Sequence, residues 1–488
     1  MRKINKLLLA AALVTTLAST SCNKISDFGD TNVNPNGTTV PSTAALLTNV
    51  QVAIGGLAAS TRGGLYAQQF SETQYTEVSL YALPRLDFDG TYAGVLYDLQ
   101  NIINVNTDEA TRGSALPFGS NANQIATSRI LKAYIFWTLT DRWGDIPYFE
   151  ALQGNKNLTP KFDSQELIYK DLVKELAESI AQFDNGPAIK GDIVYGGDIA
   201  RWKRYANSLR MLIALRTSKV YPNPGQWAAQ EFAAAYNNAA GYISSNAHNY
   251  TIPYTGTVAA FRNPWFSLYN GRSDYGISAS MVSLLNSVGD PRLKNFGAAV
   301  GTSVVGFPYG LTRNQAIVFG TSYSKILADS MRAANSPVVM IGASDVMLAI
   351  AEAGQRGWIP MSQTQLETVY KSAIELDWEE WRVAGNINGY YGNSSVMLTG
   401  APSDLQKIQL QQYIAWYPDG TQAWSNWRRT GVPTLTPTAN AINSSKQIPR
   451  RYTYGTNEYT LNVENLNAAI AGLAGGDTPD ARMWWDRP

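Results

Sequence analysis

Residues 198–217 repeat apolar side chains at helical spacing, and that periodicity constrains the fold more than any other feature. Trp202, Tyr205, Ala206, Leu209, Leu212 and Ile213 keep i, i+3, i+4 intervals and form one stripe. Ile130, Ala133, Tyr134 and Trp137 form a second stripe, and Leu167, Leu172, Leu176 and Ile180 a third. The same reasoning predicts helices at 42–57, 92–107, 226–243, 277–287, 344–356, 363–384 and 404–416. Ser344 reads as an N-cap, with Asp345 in the first turn. Between these helices lie long stretches rich in Gly, Asn, Ser, Thr, Pro and Tyr, at 186–197, 244–276, 297–340, 385–402 and 432–461. Long loops inside a packed chain usually carry function. The expected class is mostly α, with antiparallel helix pairs in 42–243 stacking like a solenoid and a looser half from about residue 244. At 488 residues the chain is long enough for two to four lobes.

The N-terminus reads as an export signal. Arg2, Lys3 and Lys6 precede an apolar run from Leu7 to Ala18, too short to span a bilayer. Small residues 19–21 then lead to Cys22, the only cysteine. This is the pattern of a lipoprotein signal at 1–21, with Cys22 acylated as the new N-terminus and 22–41 as a tether. No later segment reads as long and apolar enough to cross a membrane. Charge excludes other partners. Lys+Arg is 39 and Asp+Glu 38, a net +1, so no basic field exists for nucleic acid. One Cys and one His, His248, exclude a disulfide framework and Cys- or His-rich metal centres. No motif for a cofactor is present.

Two loops concentrate aromatic rings beside planar polar groups: Tyr75 to Asp87, with Tyr75, Tyr81 and Arg85, and Phe261 to Tyr275, with Trp265, Tyr269, Asn270, Arg272 and Asp274. Sugars offer apolar C–H faces to rings and hydroxyls to Asn, Asp and Arg. The expected ligand site is Trp265, Tyr269, Asn270 and Arg272 on one side of a shallow exposed surface, with Tyr75 and Tyr81 opposite. The alternative is a glycan hydrolase, which needs two facing carboxylates. Its candidates are Asp87/Asp89, Glu379/Glu380 and Asp477/Asp480; adjacent Glu379 and Glu380 diverge by about 100° on a helix. Other Trp-rich runs read as structural, with Trp424 and Trp427 beside Arg428 and Arg429 suggesting stacking inside the fold.

Several segments in order resemble one family. They are Asp27 to Asn36 behind the lipoprotein signal, Asp141-Arg142-Trp143-Gly144-Asp145-Ile146-Pro147-Tyr148, Arg201 to Arg210, Asp290-Pro291-Arg292-Leu293, Ala349 to Gly354, Trp424 to Gly431, and Ile448 to Arg451. Together they resemble the SusD/RagB-like nutrient-binding outer-membrane lipoproteins of Bacteroidetes. The resemblance implies tetratricopeptide-like helix pairs at about 42–243 and 344–431, packed against a loop-rich ligand half at about 244–343 and 432–488. It implies a surface-exposed, lipid-anchored protein without catalytic residues. Such a protein passes glycans, or sometimes peptides, to a TonB-dependent barrel. It carries over no ligand-contacting residue.

Overall fold

Helices begin where polar side chains close the first turn. In the computed structural model, which describes residues 41–488, Ser42, Ser120, Ser164, Asp198, Ser278 and Ser362 each accept a first-turn backbone N–H. Such caps satisfy donors that a helix leaves unpaired. The main helices are α1 (Thr43–Ala58), α2 (Tyr97–Thr107), α3 (Asn121–Trp143), α4 (Gln165–Gln182), α5 (Ile199–Arg216) and α6 (Trp227–Tyr236). They continue with α7 (Ala279–Ser287), α8 (Ala343–Gln355), α9 (Gln363–Glu380), α10 (Asp404–Ala415) and α11 (Gly420–Thr430).

Through the first six helices, neighbours in sequence are neighbours in space. Each of α1 to α5 packs on the next, α8 packs on α5, and α9 and α10 pack on α8. The molecule is mostly α, with helix pairs stacked in the tetratricopeptide manner. The stripe on α5 is buried as its spacing requires: Trp202, Tyr205 and Leu209 are fully enclosed, and Tyr205 stacks on Tyr250 at 4.3 Å between ring centres. Helix α11 returns to the short helix Thr61–Tyr66. The approach requires glycine, because a Cβ on Gly420 would stand 2.0 Å from the backbone nitrogen of Gly64. Residues Ser42–Pro488 gather into one unit around one contiguous core, rather than separate lobes.

Three sequence expectations are corrected. Ser344 is not the cap of α8. Gly342 occupies that position and its N–H donates to Asp345 Oδ2 at 2.9 Å, so the helix starts earlier. The predicted helix at 92–107 is interrupted, because Gly94 takes a non-helical backbone conformation within the 92–96 turn. Thr43–Tyr66 does have the length and apolarity to cross a membrane. Here it is a pair of core helices broken near Ser60, with Val50 and Ile54 fully buried. The Trp–Arg runs are internal as expected: the Arg428 guanidinium lies 3.6 Å from the Trp424 ring centre, and Arg429 pairs with Glu352 at 2.6 Å. Cys22 and the tether lie outside the described residues.

Candidate functional site

A short antiparallel ladder joins the two aromatic loops. Strand β1 (Phe70–Glu72) pairs with β2 (Tyr275–Ile277), setting Glu72 opposite Tyr275. The chain leaves β1 directly into Tyr75 and enters β2 directly from Arg272. Beyond the ladder, Thr73 N–H donates to the Asp274 carbonyl at 2.8 Å and Thr73 Oγ1 to the Ser273 carbonyl at 2.7 Å. Tyr323 Oη also donates to the Ser273 carbonyl, at 2.6 Å. Residues about 200 apart in sequence are thereby fixed side by side.

The ladder separates the sequence-predicted site residues into two groups. Tyr75, Asn270 and Arg272 are exposed. The Arg272 guanidinium lies 5.2 Å from the Tyr75 ring centre and pairs with Asp274 at 2.5 Å. Asn270 precedes Gly271, whose φ of 77° makes the turn. The other three rings are buried, which corrects the expectation of an exposed platform. Trp265 is 2% exposed and stands edge-on to Phe70 at 5.6 Å. Tyr269 accepts from the Ile326 N–H at 2.8 Å and donates to the Tyr275 carbonyl at 3.1 Å. Tyr81 is fully enclosed, and its hydroxyl accepts from the Thr438 N–H at 3.3 Å. The reason is common to all three: each ring fills space beneath a loop, and each tyrosine hydroxyl is used to fix backbone.

Sequence reasoning missed Arg313. Its guanidinium also lies 5.2 Å from the Tyr75 ring centre. It opens the short helix Arg313–Phe319, which Thr312 and Gln315 cap reciprocally. The capping box was readable, but nothing local links position 313 to position 75. The same helix exposes Ile317, Val318 and Phe319. Leu311, two residues before Arg313, lines an open groove of about 810 Å³ with Tyr309, Leu284 and the 433–440 segment. Asn440 Nδ2 donates to Gln315 Oε1 at 3.0 Å, tying the two loops together.

The hydrolase carboxylates are engaged elsewhere. Asp89 accepts from Asn457 Nδ2 at 2.6 Å, and Asp477 holds Arg451 and the Tyr459 hydroxyl. Asp480 accepts from Ser445 at 2.6 Å, and Glu379 from Asn246 at 3.0 Å. Glu380 is half-buried, and desolvation pushes its carboxyl up to about 8. With Trp265, Trp381, Trp416 and Asp419 it lines a separate cavity of about 110 Å³. Asp419 is likewise raised by burial, to about 7.

Stacked helix pairs with an exposed aromatic and cationic patch define a mostly α scaffold of the tetratricopeptide kind. The family profile described as starch-binding, associating with the outer membrane, matches residues 35–455, and the chain belongs to this SusD-like family. Its fold is that of solved relatives. A chitin-binding protein is 27% identical with a TM-score of 0.76, over 91% of this chain and 100% of that one. A SusD homolog from Bacteroides uniformis is 25% identical with a TM-score of 0.79, over 92% and 99%. A chitin-binding SusD homolog from Flavobacterium johnsoniae shares the fold at 22% identity and a TM-score of 0.76, over 91% and 98%. No curated protein sequence matches the chain.

Proposed function

We propose that this protein captures glycans at the surface of the outer membrane and passes them to a TonB-dependent barrel, held in place by acyl chains on Cys22. The helix-pair segments serve as scaffold and 244–343 with 432–488 form the ligand half, with Tyr75 of the 42–243 segment joining its face. The observation that carries the reading is the β1–β2 ladder. It brings exposed Tyr75 beside exposed Arg272, two residues past exposed Asn270, and Arg313 joins them at the Tyr75 ring. The chitin-binding description of the 27% identical relative supports an oligosaccharide over a peptide as cargo. Capture without chemistry is supported by the candidate carboxylates, which are engaged in contacts within the fold. A shallow site also suits transfer, since the cargo must leave again.

Calorimetric titration of the mature protein with chitin-, starch- and pectin-derived oligosaccharides tests this. At least one series is expected to bind and to be recovered uncleaved. Tyr75→Ala should weaken that binding roughly tenfold, about 1.4 kcal/mol, without lowering the melting temperature. Cleavage of a bound oligosaccharide would restore the hydrolase. Unchanged affinity in Tyr75→Ala would remove the patch as the site.

A further inference from the structure

The exposed patch is built from guanidinium groups more than from bare rings. Arg272 and Arg313 each place a guanidinium 5.2 Å from the centre of the same Tyr75 ring. The ring is therefore a support for two cations, and both arginines are exposed. The two guanidinium centres are at most about 10 Å apart, twice that distance. Two like charges held this close repel, and the tyrosine quadrupole offsets the repulsion only in part. Arg272 has Asp274 as a counter-charge at 2.5 Å. Among the described residues, Arg313 has no carboxylate within 4 Å.

The surrounding sequence carries the same bias. Residues 244–343 hold seven Lys or Arg and three Asp or Glu, a net +4, in a chain whose total is +1. All three of those acids are already paired, Asp274 with Arg272, Asp290 with Arg292, and Asp329 with Arg332. The excess positive charge lies in the segment that forms one side of the patch, and the rest of the molecule is slightly acidic.

Resting on the glycan-capture reading, we infer that the cargo is an acidic oligosaccharide, whose carboxylate or sulfate groups are gripped by Arg272 and Arg313. Guanidinium groups match both anions through paired N–H donors. Asn270 supplies a neighbouring amide for hydroxyls, and Tyr75 orients the two cations.

The test compares three oligosaccharides of equal length by calorimetry: oligogalacturonate, a sulfated chondroitin oligosaccharide and a neutral chito-oligosaccharide. At least one of the two acidic probes is expected to bind at least tenfold tighter than the neutral one. Oligogalacturonate carries carboxylate alone and the chondroitin probe carries carboxylate and sulfate, so tighter chondroitin binding marks a contribution from sulfate. Raising salt from low to several hundred millimolar should weaken acidic binding and leave neutral binding unchanged. Arg313→Gln should lower acidic affinity roughly tenfold, and Glu77→Gln, which removes an exposed acid two residues past Tyr75, should raise it. Thermal melts of both variants confirm the fold. Neutral binding that equals or exceeds acidic binding, unmoved by Arg313→Gln, overturns the charge inference and leaves glycan capture standing. Failure of all three probes overturns the charge inference, and failure of starch oligosaccharides as well removes glycan capture itself.

Discussion

Trp265 and Tyr75 look alike in sequence, each a ring in a polar loop, yet they do opposite work. Asn263 caps a five-residue helix, Pro264–Leu268, and this turns the Trp265 indole inward against Phe70. Tyr75 follows a strand end and points its ring to solvent, 48% exposed. Trp265→Ala should therefore cost about 3–5 kcal/mol of stability, the range for removing a large buried ring. Tyr75→Ala should change stability by less than about 0.5 kcal/mol. Denaturant unfolding of both variants decides between them. Equal losses would mean that the two rings share one environment.

Among the helices, α5 is the clearest case of a stripe doing what its spacing implies. Its buried residues run from Trp202 to Arg216, and Leu209 is completely enclosed. Leu209→Ala leaves a cavity between α5 and its neighbours, and about 2–5 kcal/mol of destabilisation is expected. A loss below about 0.5 kcal/mol in a urea titration would place Leu209 at a surface instead. Helix α8 shows why end positions were harder to read. Ser344 and Asp345 both suit a cap, and the choice fell to Gly342 because Asp345 reaches back to its N–H.

Over the whole molecule, desolvated carboxyls set the pH profile. Desolvation raises Glu380 to about 8, and Asp419 and Glu72 to about 7. In the unfolded chain such groups titrate near 4. Between those values the folded state keeps protons that the unfolded chain has lost. Stability from these groups is complete below about pH 4 and falls as pH rises toward 8. Glu352 and Asp290 act the other way. Despite burial, the Arg429 and Arg292 guanidinium groups hold them below the usual range, so their contribution is lost in strong acid. The melting temperature should peak near pH 5 and decline by pH 8, and Glu380→Gln should flatten that decline. A melting temperature that climbs steadily from pH 5 to 8 would show these carboxyls to be ionised in the fold. The proposed lipid anchor is the other property at this scale. Cys22→Ala is expected to release the protein from membranes or block its maturation. Mass spectrometry finding an unmodified mature Cys22 would rule the anchor out.

Local spacing and the order of motifs along the chain were enough to read the helices, their stacking and the family. A helix buries the face that its 3.6-residue period creates, so Trp202, Tyr205 and Leu209 announce their burial without any knowledge of their partners. The aromatic loops were also legible as regions, from their turn residues and rings. Which ring faces water was not. That depends on what each loop lands on, and the contacts responsible are remote in sequence: Phe70 beneath Trp265, Thr438 on Tyr81, Ile326 on Tyr269. Arg313 reaches Tyr75 only because a two-strand ladder and a capped turn bring distant loops together. Aromatic residues carry apolar area and a polar tip, so composition alone admits both fates, and only the packing beneath each ring chooses between them.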